Sequence, residues 1–246
     1  KANLDIAEAN GVTIVTDALA AVDGSDTVIT MLPAGKHVLA VYADIVPVAN
    51  KGTLFIDSST IDVESARKAH GIAAEASMLS IDAPVSGGVG GAEAGTLTFM
   101  AGGSKEAFAK AEMVLKPMAG RVVHCGEAGA GQAAKICNNM ILGISMIGVG
   151  EAFVLAEKLG LSHQALFDVA STSSGQCWSL TSYCPVPGPV PNSPANRDYK
   201  PGFAAALMLK DLRLAQEAAQ SAGAVTPLGA EATQLYALFE AMGQGG

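Results

Sequence analysis

Short apolar bursts that change period organise the first half of the chain. Residues 27–31 (TVITM) and 53–57 (TLFID) are β-rich runs, and each is followed by apolar residues at helical spacing. After the first run, residues 34–45 place Val38, Val41 and Tyr42 on one helical face. After the second, a helix is predicted over residues 62–70. Further strands are predicted at 81–83, 96–101 and 121–124, with a helix at 105–116 before the last. Upstream, residues 2–9 read as the tail of a helix stopped by Gly11, so that Lys1 would lie in mid-helix. A short strand at 12–15 and a short helix at 18–22 follow. Strands alternating with helices over this length predict an α/β domain, a doubly wound and mostly parallel sheet.

Beyond Gly131 the period stays helical and no further strand is predicted. One long helix covers 132–159 with Gly160 as its stop, and another covers 162–169 with Ser162 as N-cap. Residues 185–201 (PVPGPVPNSPANRDYKP) are too rich in proline for a helix or a central strand, so a long surface loop is expected. Helices return at 203–222 and 228–242. The pattern therefore divides the chain into an α/β domain at 1–125 and an all-α domain at 126–246.

Composition narrows the function. Half of the residues are hydrophobic but only 5% are aromatic, and Ala and Gly dominate, which suits closely packed α/β layers. A formal net charge of −8, with no basic stripe, argues against nucleic acid as a partner. The most apolar run, 140–150, reads as too short to span a bilayer, so no membrane partner is expected. The four cysteines, Cys125, Cys137, Cys177 and Cys184, show neither CxxC spacing nor histidine partners at metal-ligand distance. They read as reduced thiols of an intracellular protein, with no metal site.

Three stretches carry candidate chemistry. In GEAGAGQAAKICNN (126–139) three glycines run into a helix, on which Lys135 and Asn139 share a face four residues apart. A tight interdomain turn followed by a solvated Lys/Asn pair would show the same spacing. If Lys135 is desolvated at the domain junction, its pKa falls from the usual value of roughly 10.4, and it can exchange a proton with a substrate hydroxyl that Asn139 holds. DAPVSGG (82–88) sets two unobstructed glycine amides beside Ser86, a nest for a small anion or a plain loop of small residues. Leu32, Pro33, Thr60 and Ser86 to Gly88 all follow predicted strands, where ligands of such sheets bind. Lys210, beside Asp211 on an amphipathic helix, fits a solvated face as well as a ligand. The four histidines have no carboxylate at a telling spacing, no Ser/His/Asp arrangement suggests a hydrolase, and Trp178 and Phe203 read as packing residues.

DAPVSGG at 82–88, GxxGxGxxxKxxxN at 126–139 and KDLRLA at 210–215, in this order, resemble the β-hydroxyacid dehydrogenase family. AKICNN at 134–139 and SSGQCW at 173–178 continue the match, which covers essentially the whole chain. The resemblance implies a Rossmann-type domain joined through a long helix to an all-helical domain. It implies that Lys135 is catalytic, that Asn139 orients the substrate, and that Ser86, Gly87 and Gly88 bind its carboxylate. Leu32, Pro33, Thr60 and Lys210 would contact the cofactor, with His37 a further match where loop length varies. The implied reaction is reversible, nicotinamide-dependent oxidation of a small 3-hydroxy acid, 3-hydroxyisobutyrate to methylmalonate semialdehyde. Sibling reduction of tartronate or succinate semialdehyde is the alternative, and a non-catalytic oligomerisation or reader module the more distant one. The cofactor would be NAD, with NADP left open, and the protein a homodimer or homotetramer, cytoplasmic in a bacterium or in the mitochondrial matrix of a eukaryote. The family's opening strand and GxGxxG turn do not occur in the sequence, and the chain stops early at Gly246. A segment without that turn is expected to bind dinucleotide weakly.

Overall fold

The computed structural model describes residues 2–246, so the mid-helix position expected for Lys1 lies outside the described residues. Two compact units are present. The first takes in the chain up to Ser86 together with Gly95–Gln132, and the second comprises Gly87–Ala94 and Ala133–Gly246. The division thus falls seven residues beyond the predicted boundary at Cys125, and a short excursion after Ser86 joins the second unit. Sequence period does not register that excursion, because it is an insertion between two strands of the same sheet.

The first unit runs α1 (Ala2–Ala9), α2 (Ala18–Val22), β1 (Thr27–Thr30), α3 (Gly35–Ile45), β2 (Leu54–Asp57), α4 (Val63–Glu75), β3 (Leu79–Asp82) and β4 (Val85–Ser86). After α5 (Gly88–Glu93), which belongs to the second unit, it resumes with β5 (Leu97–Gly102), α6 (Lys105–Leu115) and β6 (Ala119–Gly126). The sheet order is β1-β2-β3-β5-β4, with β6 pairing β5 on its other edge. All four residues of β2 are buried, because both faces of the sheet are covered. Successive side chains point to opposite faces. Phe55 joins Val38, Tyr42, Ile45, Ala66 and Ala69 of α3 and α4, whereas Leu54 and Ile56 join Ile81, Phe99, Ala107, Ala111 and Leu115 around α6.

Two expectations need correction here. Residues 12–15 form no strand, and Val12, Ile14 and Val15 are exposed. A strand needs a ladder partner, and no described strand pairs with them. The sheet is also mixed: β1/β2, β2/β3 and β5/β6 are parallel, whereas β5 runs antiparallel to β3 and β4. Alternation of side chains is the same in either direction, so the pattern along β5 does not reveal its sense.

The second unit is helical: α7 (Ala130–Lys158, its first three residues in the first unit), α8 (His163–Ala170), α9 (Trp178–Thr181), α10 (Ala205–Ala222) and α11 (Pro227–Phe239). Ser162 caps α8 by accepting from Ala165 N–H, and Gly223, at φ 66°, ends α10. The proline-rich stretch is a loop with a single 3-10 turn at Pro194–Asn196. It is pinned by Ser193 Oγ donating to Cys184 C=O at 2.5 Å and by Asn196 bridging Gly188 and Val190. The apolar run at 140–150 lies inside the 29-residue α7. By length and composition α7 is long and apolar enough to cross a membrane, with a mean hydropathy of 1.7 in its most apolar window and 22% of that window buried. The run 140–150 is short in itself, and it is the whole helix that meets the length. The helix extends past it at both ends, through residues such as Lys135 and Asn139 that are buried despite their polarity.

Candidate active site

The turn that leads into α7 is tight rather than flexible. Gly126 and Gly129 have φ of 133° and 83°, a region open to glycine and strained for other residues. Gly131 is needed for a different reason: a Cβ there would lie 2.2 Å from Met100 C=O and 2.6 Å from Asp82 C=O. The helix start thus presses against the ends of β3 and β5. Asp82, the first residue of DAPVSGG, closes this approach. Its Oδ1 accepts from Gly129 N–H at 2.8 Å and its Oδ2 from Gln132 N–H at 2.9 Å. A carboxylate at a helix N-terminus satisfies orphan amides and complements the helix dipole.

Asp82 has a further partner that sequence spacing does not reveal. His70 of α4 sets Nε2 2.9 Å from Asp82 Oδ1, and its Nδ1 lies 2.7 Å from Ser80 Oγ. A serine, a histidine and an aspartate are therefore in line, an arrangement that their spacing in sequence does not show. The ring nitrogens are engaged the opposite way round from a serine-hydrolase triad, and both Asp82 oxygens are committed to α7. The row fastens α4, β3 and α7 to one another.

Four cofactor-contact candidates lie in this unit. Leu32 follows β1 and is half-buried, Thr60 follows β2 and is half-buried, and Pro33 and His37 are exposed, His37 in the first turn of α3. β1 and β2 are adjacent and parallel, so the two loops leave the same edge, outside the carboxyl ends where dinucleotides bind. The loops are held from below. Asp57 Oδ1 accepts from Thr30 Oγ1 and from both the amide and the hydroxyl of Ser59, at 2.8, 3.2 and 2.6 Å. Ser59 Oγ in turn accepts from Leu32 N–H at 2.8 Å. Burial pushes the Asp57 carboxyl above its ordinary range, partly offset by these donors, and its Oδ2 has no hydrogen-bond partner. Two strand-end loops fixed in this way, with apolar Leu32 and Pro33 at one and a hydroxyl at the other, fit a nicotinamide dinucleotide.

The remaining candidates, apart from Ser86, lie in the second unit. Lys135 is 7% exposed, with Nζ 6.0 Å from the centre of the Phe203 ring. Burial lowers its pKa, Asp211 pulls it back up and Lys210 pushes it further down. Asn139, one turn on, is buried and donates through Nδ2 to Asp211 Oδ2 at 2.5 Å. Lys210 Nζ lies 3.3 Å from the other Asp211 oxygen, which accepts no hydrogen bond. Phe203, read from sequence as packing, is the aromatic face beside Lys135. Gly87 and Gly88 have φ of 132° and 61° and start α5, whereas Ser86 ends β4 in the first unit. Asp211 is a further candidate side chain, to which sequence reasoning gave no role. Its signal was the Lys210-Asp211 pair inside a helix whose neighbours Met208, Leu209 and Leu212 are buried. An amine whose pKa is lowered by burial, near an aromatic ring and within electrostatic reach of a carboxylate, suits proton exchange with a bound hydroxyl.

Comparison with known proteins adds matches of three kinds. A family model described as the NAD binding domain of 6-phosphogluconate dehydrogenase matches residues 1–126, and one described as NAD-binding of NADP-dependent 3-hydroxyisobutyrate dehydrogenase matches residues 129–246. A probable 3-hydroxyisobutyrate dehydrogenase from Mycobacterium tuberculosis is 56% identical over 96% of this chain and 80% of its own length. An NAD-dependent L-serine dehydrogenase from Pseudomonas aeruginosa is 47% identical over 94% of this chain and 78% of its own. A solved 3-hydroxyisobutyrate dehydrogenase from Mycobacterium tuberculosis, determined with L-serine, superposes with a TM-score of 0.94 at 55% identity, covering 97% of this chain and 82% of that one.

Proposed function

This chain belongs to the 3-hydroxyisobutyrate dehydrogenase family, and from that premise we propose that it oxidises 3-hydroxyisobutyrate to methylmalonate semialdehyde with Lys135 as acid/base. The family is one of nicotinamide-dependent oxidoreductases, and when bound the nicotinamide supplies the acceptor for the hydride that leaves the hydroxyl-bearing carbon. The chain's own residues do the rest. Lys135 in its neutral form takes the hydroxyl proton as the C–H bond breaks, and returns it in the reverse direction. Asn139 has a second amide hydrogen beyond the one given to Asp211, and directs it to the substrate oxygen. Ser86, Gly87 and Gly88 receive the carboxylate, and Leu32, Pro33, His37, Thr60 and Lys210 contact the dinucleotide. Holding substrate and cofactor in reacting geometry supplies much of the rate.

The observation that carries this reading is the buried Lys135, lowered in pKa by burial and set beside Asp211. Its test is a panel of 3-hydroxyisobutyrate, L-serine and, in reverse, tartronate and succinate semialdehydes, each with NAD and NADP. A preference for either semialdehyde over the 3-hydroxyisobutyrate couple would overturn the substrate. Oxidation of L-serine is the second reading, favoured by the dehydrogenase relative of that name and by the solved relative determined with L-serine. Serine carries the same carboxylate and 3-hydroxyl, so one site can take both. We infer also that the chain self-associates as a dimer or tetramer, supported by the apolar Ile141, Val154 and Leu155 that α7 leaves exposed and by the exposed Leu159 just beyond it. Sedimentation at monomer mass alone would sink that inference.

A further inference from the structure

Gln132 is fully buried in the first turn of α7, and both ends of its side-chain amide are used. Oε1 accepts from Ile61 N–H at 3.1 Å, and Nε2 donates to Ser59 C=O at 2.7 Å. These two backbone groups flank Thr60, so one side chain grips the loop after β2 from both sides. The grip continues in two directions. Ser59 holds Leu32 N–H, which ties the loop after β1 to the same point, and Asp82 holds the Gln132 amide nitrogen of the main chain, which fixes where the side chain starts. A buried amide spanning 71 to 73 residues of sequence is an expensive way to fix a loop that has only to cover a core. Small apolar side chains would cover it as well. Two directed hydrogen bonds fix Thr60 in height and rotation.

We propose that Gln132 is a positioning residue for the nicotinamide dinucleotide, acting through the Ser59 to Ile61 loop on Thr60. This rests on the reading of Thr60 and Leu32 as cofactor contacts. Fully buried, Gln132 presents no surface to a cofactor or substrate. It sets the loop that does, within the first unit.

The test uses a substitution that can be switched. In Gln132→Glu the neutral acid is an isostere of the amide: its carbonyl accepts from Ile61 N–H and its O–H donates to Ser59 C=O. Ionised, it turns a negative oxygen on that carbonyl and the donor is lost. Burial, with the carboxyls of Asp57 and Asp82 in the same network, keeps the new carboxyl titrating above the ordinary range. NADH and NADPH binding is measured by fluorescence titration between about pH 6 and pH 9, roughly the span in which a buried carboxyl titrates. Expected is wild-type affinity at the acid end and about tenfold weaker binding at the alkaline end, the equivalent of one hydrogen bond, while the wild type lacks this step. A variant with the same affinity relative to wild type at every pH overturns the proposal. Gln132→Met, which keeps volume without either bond, should bind NADH about tenfold more weakly at all pH values with the KM for 3-hydroxyisobutyrate unchanged. Unchanged NADH binding there overturns it too. Thr60→Ala separates the two readings. If it leaves NADH affinity unchanged, the loop is no cofactor contact; if it weakens binding and the Gln132 variants do not, only the positioning role is wrong.

Discussion

The Asn139 amide donates to Asp211 Oδ2 at 2.5 Å inside the helical unit, with both residues buried. The pair joins α7 to α10 and puts a carboxylate within electrostatic reach of Lys135. Burial alone would leave Lys135 a still weaker base, so Asp211 sets how much of the amine is protonated at a given pH. Asn139, proposed above as a substrate ligand, is also the strut that keeps Asp211 in place.

Replacing Lys135 by Met keeps the apolar stem and removes the proton carrier. The expected loss in kcat is about 10²–10⁴-fold, with NADH affinity held within about twofold. Steady-state rates and a direct binding titration check it together. A near-normal kcat would remove Lys135 from the mechanism.

Asp211→Asn takes away the charge that favours the lysine ammonium. The Lys135 pKa is lowered by burial and raised by Asp211, so removing Asp211 lowers it further. Oxidation needs the neutral amine, so its kcat/KM should rise at lower pH than in the wild type. Reduction needs the ammonium and should fall off at lower pH. A pH profile that moves toward alkali, or does not move, contradicts this arrangement.

Asp82→Ala strips the acceptor from two buried amides, that of Gly129 just before α7 and that of Gln132 in its first turn, and from His70. Each buried donor left unmatched costs about 1–3 kcal/mol, so unfolding in urea should lose about 3 kcal/mol or more. Ser80→Ala, which touches only the far side of His70, should lose about 1 kcal/mol. Comparable losses for the two would mean that Asp82 is not what fastens the helix.

Two glycines of α7 should respond with opposite signs. A Cβ on Gly131 would collide with main-chain atoms of β3 and β5, so Gly131→Ala should destabilise by about 2 kcal/mol or more. Gly148 is exposed with no atom within 4 Å of a built Cβ, and Gly148→Ala should stabilise by up to about 1 kcal/mol through helix propensity. Thermal melts of the two variants decide this directly.

These responses separate what the sequence discloses from what it does not. Lys135 and Asn139 are four apart on one helix, so their shared face can be read without a structure. The buried β2 announces itself as TLFID because both of its faces are covered. Residues 12–15 show the limit: an apolar run has strand character only when another strand accepts it. The sense of β5 is hidden for a related reason, since alternation does not depend on direction. The contacts that assemble the site are hidden more deeply. Asp211 reaches Asn139 across 72 residues, Gln132 reaches Ile61 across 71, and Asp82 reaches Gly129 across 47. None of these side chains announces its partner, because a buried acid or amide looks in sequence like any solvated one. Only the adjacency of DAPVSGG and the glycine turn to apolar neighbours hints that their polar groups are enclosed.

The Asp82 clasp divides a continuous helix by its tempo of opening. Ala130 to Gln132 belong to the sheet-bearing unit, and Ala133 onward to the helical one, although α7 runs through both without a break. In native-state hydrogen exchange the amides of Gly129 and Gln132, locked onto Asp82, should open with β3, and the amides further along α7 with their own unit. A covalently unbroken rod then reports two unfolding reactions, and the step between them falls between Gln132, which grips the Thr60 loop, and Lys135, which would move the proton.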